Sequence, residues 1–495
     1  MPLKIPRLLW LALPVAYVLY LFRLGGIGLI GPDEPRYAAI ALAMARTGDW
    51  ITPRLWGHAW FEKPALLYWM SGAAFRLGLG PDIAPRLPVA LFSIAFLGFF
   101  WWILRREFGC RAAALASLIL GTMAAWIGFS QIGVTDLPLT ATFSAAMLLA
   151  MPWIGRRESG TLPAASAALG LAVLAKGLLP LALAAPLALR FRWFGDLLRP
   201  RVLLPFFAVA LPWYVLCYRS NGGIFLHDFI LVHHFERFTQ TGLQHVQPWW
   251  FYIPRLPALM LPWAPLLLAL RPREAWSEPR QRFLACWIAF GFVFFSASTN
   301  KLPGYLLPLL PPLAILMALG LEQFRRTGWL FASSALLLAV YPAAAPLLPA
   351  AIANQWAGAP HVTFHWTWLL PVLPATGAWL LARSGRAVAA AGVVAAATAV
   401  AILCLKLTAE PRIEATATAR TLSRAVALHP RAVCLDNLRR DWEYGLDYYA
   451  GTALPDCAAE PKPFRVTQKP GSAPRLEATA PESGTSAAAA VVDHQ

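Results

Sequence analysis

The sequence predicts an all-α polytopic membrane protein of about thirteen transmembrane helices with a small C-terminal periplasmic α/β domain. Three observations lead there. Of 495 residues, 58% are hydrophobic and only 14% charged, where a soluble domain carries roughly a quarter charged; a cytosolic enzyme of ordinary composition is excluded. Apolar stretches of bilayer length recur from Leu8 almost to Leu407. The net charge of +17, from 42 Lys and Arg against 25 Asp and Glu, sits in short clusters between those stretches. Such clusters resist translocation and mark the cytoplasmic side, so membrane lipids are the expected partner of this charge and nucleic acid is not.

A hydrocarbon core takes about 20 apolar residues per helix. This places spans near 8–29, 86–104, 112–130, 137–154, 162–175, 178–190, 202–218, 256–270, 283–298, 305–320, 329–348, 367–382 and 387–405. The stretch 162–189 has Arg clusters at both flanks, which must share one side, so it is expected to cross twice with its break at Lys176-Gly177. The odd count puts the N-terminus in the cytosol and the C-terminus outside. Asp33, Glu34, Asp49, Glu62, Asp82, Asp136, Asp228 and Glu236 then all face the periplasm, and the chemistry is expected there.

Residues 1–407 form the expected membrane domain and 408–468 a small α/β domain; from Lys469 the composition of Ala, Pro, Ser and Gly predicts a disordered tail, 469–495. Cys434 and Cys457 both fall in the exported part, where a disulfide is a reasonable hypothesis. The other four cysteines lie in or beside spans, without metal-type spacing.

Five constellations stand out. Gly31-Pro32-Asp33-Glu34-Pro35-Arg36-Tyr37 opens the first exported loop; its carboxylates either cap a helix or serve a site. Glu62-Lys63 follows Trp60-Phe61 and reads either as a solvated salt bridge or as a phosphate and metal contact. Asp136 sits between two spans with almost no loop, where an ionisable residue is functional by default, although capping the next helix is compatible with that. The 219–255 loop gathers His227, His233, His234 and His245 with Arg237; Arg237 suits a phosphate, and the histidines match no defined metal spacing. Lys301, framed by Asn300, Pro303, Gly304 and Tyr305, is either a snorkelling lysine or a ligand contact.

Taken in order, the motifs DEPRYA (Asp33–Ala38), FEKP (Phe61–Pro64), RLP (Arg86–Pro88), VTDLPL (Val134–Leu139), AKG (Ala175–Gly177), HFERF (His234–Phe238), QPWWFY (Gln247–Tyr252) and KLPGYLLPLLPP (Lys301–Pro312) resemble the GT-C membrane glycosyltransferases. The similarity is to the bacterial lipid A aminoarabinose transferases and their protein mannosyltransferase relatives. It implies catalytic carboxylates at Asp33 and Asp136, with Glu34 and Arg36 of the first motif at the substrate. It also implies phosphate contacts at Lys63, Arg237, Lys301 and Tyr305, leaves open a divalent metal ion at Glu62, and leads one to expect inversion at the anomeric carbon. The implied donor is a polyprenyl (undecaprenyl) phosphate sugar in the inner membrane, and the implied acceptor is lipid A or another periplasmic glycan or protein. A Tyr common two residues before the Glu is Trp60 here. Two other readings stay open: transfer of a lipid-linked hexose such as mannose, and a lipid-linked sugar flippase. The second is disfavoured because the acidic residues gather on one side and no internal repeat is visible.

Overall fold

A computed structural model describes residues 13–229, 246–324, 327–354, 359–469 and 472–479, and most of its regular structure is helical. Among the described residues, six helices are long and apolar enough to cross a membrane: Leu87–Gly121, Asp136–Arg156, Pro200–Asn221, Pro303–Gln323, Thr327–Ala344 and Ala387–Ala417. Two shorter apolar helices, Leu162–Lys176 and Leu179–Leu189, accompany them. Six is fewer than the thirteen expected because breaks divide or merge the apolar stretches. The expected spans 86–104 and 112–130 share the run Leu87–Gly121, which turns at Gly109 with φ 87° and ψ 168°, a conformation open to glycine alone at little cost. The break expected at Lys176-Gly177 is present: the helix ends at Lys176 and Gly177 takes φ 75°, ψ −145°.

A buried ion pair joins the first loop to this bundle. Arg86, 1% exposed, is the residue before the helix Leu87–Gly121. Its Nε and Nη2 donate to Glu34 Oε1 and Oε2 at 2.7 and 2.8 Å, and its guanidinium also reaches the carbonyls of Leu24, Ile27 and Gly28 at 2.7–3.1 Å. Glu34, also 1% exposed, accepts from the Ile30 and Gly133 amides at 2.9 and 2.8 Å. One pair thereby satisfies backbone groups of separate chain segments that would otherwise be buried without partners.

The helix α1 (Asp33–Thr47) begins at this pair. Its first turn carries Asp33 and Glu34, which suits the positive end of the helix dipole, and it closes on Gly48 at φ 76°, whose N–H bonds the Met44 carbonyl. The hairpin Arg54–Leu55 with His58–Ala59 (β1, β2) and helix α2 (Leu66–Arg76) follow, and α2 packs on α1. Helix α1 is buried along most of its length.

The C-terminal part differs from expectation at both ends. Helix Ala387–Ala417 runs straight through the boundary expected at residue 408. Beyond it, helix Arg420–Val426, strand β3 (Val433–Asp436), helix α3 (Arg440–Ala450), and strands β4 (Phe464–Thr467) and β5 (Arg475–Ala478) form a unit with its own apolar core around Trp442, Leu446 and Val466. The sheet order is β3-β4-β5, parallel then antiparallel. Strand β5 corrects the expectation of disorder from residue 469: Leu476 pairs with Val466 and packs on that core, a small gain that composition alone conceals. Residues 480–495 lie outside the described residues. Cys434 and Cys457 form a disulfide across a Cα–Cα distance of 4.9 Å, and the unit is tied to the first loop through Arg420, which pairs with Asp82 at 2.9 Å and Glu414 at 2.8 Å.

These contacts carry two expectations for stability. Glu34→Gln leaves the Arg86 charge buried without a counter-charge, so a loss of about 3–5 kcal/mol is expected, read as a lower melting midpoint in detergent. Asp447, 4% exposed, has its carboxyl pushed up to about 7 by burial, with the Leu454 amide opposing and Glu443 adding to the shift. A raised carboxyl means the folded unit holds a proton that the unfolded chain releases, so stability should fall as pH rises from about 4 to about 7 and then level off. Melts across that range should show the slope in the wild type and its disappearance in Asp447→Asn.

Candidate active site

Asp33, Arg36, Glu62 and Lys63 are brought together where α1 meets the loop before α2. Arg36 Nη2 bridges two carboxylates, Asp33 Oδ1 and Glu62 Oε2, the latter at 2.9 Å. Lys63 Nζ donates to the other Glu62 oxygen, Oε1, at 3.0 Å. The Glu62 side chain is 5% exposed and that of Lys63 12%, so this is no solvated surface bridge. Trp60 Nε1 lies 3.4 Å from Glu62 Oε2. Burial opposes the charge on Arg36, but Glu62, Tyr37 and Asp33 outweigh it and hold its pKa above the ordinary value. Asp33 is the open member, its side chain 46% exposed.

Asp33 does not cap its helix. It occupies the first helical position, no side-chain cap bond forms there, and its carboxylate turns to Arg36. Asp136 repeats this arrangement: it starts the helix Asp136–Leu149 without capping it and accepts from Lys176 Nζ at 2.7 Å. Lys176 reaches it from the last position of its own helix, Leu162–Lys176, and lies 5.1 Å from the centroid of the Tyr305 ring. A side chain on Gly304 would come within 3.1 Å of Asp136 Oδ1, so the glycine of the KLPGY motif makes room for the carboxylate. Asp33 lies near enough to favour the charge on Lys176, though less than Asp136 and Tyr305 do, so the two carboxylate groups are neighbours.

Two expected contacts are corrected. Glu34 is buried and saturated by Arg86 and two amides, so it positions α1 and has no face left for a substrate. Lys301, 4% exposed, donates to the carbonyls of Gln247, at 2.9 Å, and Ser298; burial lowers its pKa, and it fastens the chain at Gln247 to the start of the next helix. Arg237, His233, His234 and His245 lie outside the described residues. His227 is exposed and pairs with Asp228 at 3.0 Å.

Among the described residues, those beside Glu62 do not fit a metal. Its neighbours are the cations Arg36 and Lys63, and no group of three or more His, Cys, Asp and Glu suited to an ion exists among the described residues. Sequence reasoning missed two members. Lys176 was legible only as a charge at a helix break. Tyr68 gave no signal: it is fully buried, stacks edge-on to Tyr37 at 5.9 Å, and its hydroxyl has no hydrogen-bond partner among the described residues. Burial, then Glu62, holds its pKa well above the ordinary value, so it remains a hydroxyl donor.

The sequence matches the dolichyl-phosphate-mannose-protein mannosyltransferase family over residues 62–216. It is 36% identical over 343 residues to an undecaprenyl phosphate-alpha-4-amino-4-deoxy-L-arabinose arabinosyl transferase of Pseudomonas aeruginosa, covering 65% of this chain and 61% of the relative. A transferase of the same name from Edwardsiella ictaluri is 34% identical, covering 62% and 58%. The matched region thus spans about three fifths of the length of these curated relatives. In fold, the chain is similar to ArnT from Cupriavidus metallidurans bound to undecaprenyl phosphate, with a TM-score of 0.74 and 26% identity over 90% of this chain and 85% of that one. The archaeal oligosaccharyltransferase AglB of Archaeoglobus fulgidus shares the fold at a TM-score of 0.51 and 13% identity, over 90% of this chain and 63% of that one. By sequence and by fold together, this chain is similar to the aminoarabinose transferases and shares the fold of ArnT.

Proposed function

We propose that the chain is a glycosyltransferase that moves 4-amino-4-deoxy-L-arabinose from undecaprenyl phosphate to a phosphate of lipid A. The observation that carries this is the pairing of Arg36 and Lys63 around Glu62, beside the half-exposed Asp33 and within range of the Asp136–Lys176 pair. The names of the similar transferases supply the sugar. The undecaprenyl phosphate bound to the similar ArnT of Cupriavidus metallidurans supplies the carrier.

In this reading the carrier chain lies among the spans and its phosphate meets Lys63 and Arg36, with Arg237 and Tyr305 as further contacts. An acceptor phosphate oxygen attacks the anomeric carbon, the bond from that carbon to the carrier phosphate oxygen breaks, and the electron pair leaves on the phosphate. Cations held in place before the reaction stabilise that developing charge. The acceptor is already ionised at neutral pH and needs little base, so Asp33 orients the donor sugar or its amino group, while Asp136 is held in position by Lys176. A topology of about thirteen spans, with a cytosolic N-terminus and the site and C-terminal unit in the periplasm of a bacterial inner membrane, belongs to the same proposal. The Cys434–Cys457 disulfide supports an oxidising compartment for that unit.

A second reading, transfer of a lipid-linked hexose to protein or glycan, is favoured by the mannosyltransferase match over 62–216. Mass spectrometry of lipid A decides between them, using a host that lacks its own aminoarabinose transferase but makes the donor. An aminoarabinose adduct is expected with the wild-type chain; its absence with good expression would move the sugar or acceptor to the second reading. Adduct formation by the purified chain in detergent would separate an enzyme from a flippase. Asp33→Asn and Asp136→Asn should insert normally and lose transfer by about a hundredfold or more, and wild-type rates in both would remove the catalytic assignment. Lys63→Ala should raise the donor KM by about tenfold or more, as expected for loss of a charge-assisted contact, with little change in melting midpoint.

A further inference from the structure

Helix α3 belongs to the C-terminal unit, yet one of its faces leaves that unit. Tyr448 donates to the Pro81 carbonyl at 2.8 Å. The Tyr449 hydroxyl donates to Asp82 Oδ1 at 2.5 Å and accepts the Leu29 amide at 2.9 Å. Tyr444, one helical turn before Tyr448 and half-buried, extends this face to the site: the Arg36 guanidinium carbon stands 5.4 Å from its ring centroid. That lies within the distance of about 6 Å over which a cation is attracted to a ring face. Two other rings frame the same guanidinium, Tyr37 at 5.4 Å and Trp60 at 5.7 Å, but both come from the first loop.

We propose that Tyr444 is a positioning residue through which the C-terminal unit completes the binding site for the carrier phosphate. A planar guanidinium can turn about its own stem, and only some orientations let Nη2 bridge Asp33 and Glu62. A ring face laid against the plane restricts that rotation. The ring is itself held by a helix fixed at Tyr448, Tyr449 and the Arg420–Asp82 pair. The inference rests on the reading that Arg36 faces the carrier phosphate, and it gives the small unit a part in binding that no residue of its own sheet supplies.

The test uses the full chain in detergent and undecaprenyl phosphate as the probe. Tyr444→Leu keeps apolar bulk and removes the π face, so it should weaken binding about five- to tenfold with a melting midpoint within a few degrees of wild type. Tyr444→Phe, which keeps the face, should bind within twofold of wild type, and in an Arg36→Gln background Tyr444→Leu should have no further effect. Equal weakening by Phe and Leu, an unchanged affinity in Tyr444→Leu, or the same loss with and without Arg36 would each overturn the proposal. If the wild type binds no undecaprenyl phosphate, the carrier reading falls by itself. The melting midpoints of the same single and double variants then decide the contact: a non-additive shift supports it and strict additivity overturns it.

Discussion

The ion pair between Arg86 and Glu34 holds the rest of the site in register. Glu34 is the neighbour of Asp33, and the amide it accepts from across the bundle belongs to Gly133, three residues before Asp136. Two of the site's carboxylates, Asp33 and Asp136, therefore hang from a single buried charge pair, one on each side of it. Such a pair is a poor source of net stability, because desolvating both charges costs about as much as their attraction returns. Its value is geometric: the donors of one fixed fork meet two carboxylate oxygens and three carbonyls, and no apolar substitute could select that one arrangement of segments. A side chain added at Gly133 would come within 2.9 Å of the Pro85 carbonyl, so the same approach also needs a glycine.

Asp33 and Asp136 each start a helix and give up the capping role that such a position suggests. A cap bond would turn the carboxylate back onto its own backbone; instead Asp33 turns to Arg36 and Asp136 to Lys176. The helix dipole still stabilises both anions where they stand. The fold thus supplies a favourable field without consuming the oxygens, which remain available to organise cations around a ligand.

Much of this was legible in the sequence, and the failures have specific causes. Apolar length located the six long helices of the described residues, because it is a property of neighbouring residues. The break at Lys176-Gly177 was readable from a charge beside a glycine, but the destination of that charge was not: Asp136 is forty residues away, and pairing across a bundle leaves no local pattern. Glu34 and Lys301 were misread for the converse reason. Each stands in a motif dense with polar residues, yet each is turned inward by partners distant in sequence, Arg86 and the Gln247 carbonyl. Strand β5 was hidden because a short edge strand needs only one inward residue, Leu476, to pair with a sheet that already exists.

In the proposed function, charge balance limits how the site can receive a phosphate. Among the described residues, three carboxylates, Asp33, Glu62 and Asp136, face three cations, Arg36, Lys63 and Lys176, and the formal charges of these six cancel. A phosphate entering such a cluster meets no net attraction unless it takes over contacts that the carboxylates now make. Glu62 is the group best placed to yield them, since its two oxygens occupy Arg36 and Lys63 separately, as two oxygens of one phosphate would. The carboxylate therefore acts as a placeholder that keeps both cations oriented before the ligand arrives. Trp60 reinforces this: its indole N–H can only donate, and directed at Glu62 it helps carry the charge on that carboxylate when a cation is drawn toward the phosphate. Binding then becomes an exchange of anionic partners around fixed cations, which avoids creating an unpaired buried charge at any stage.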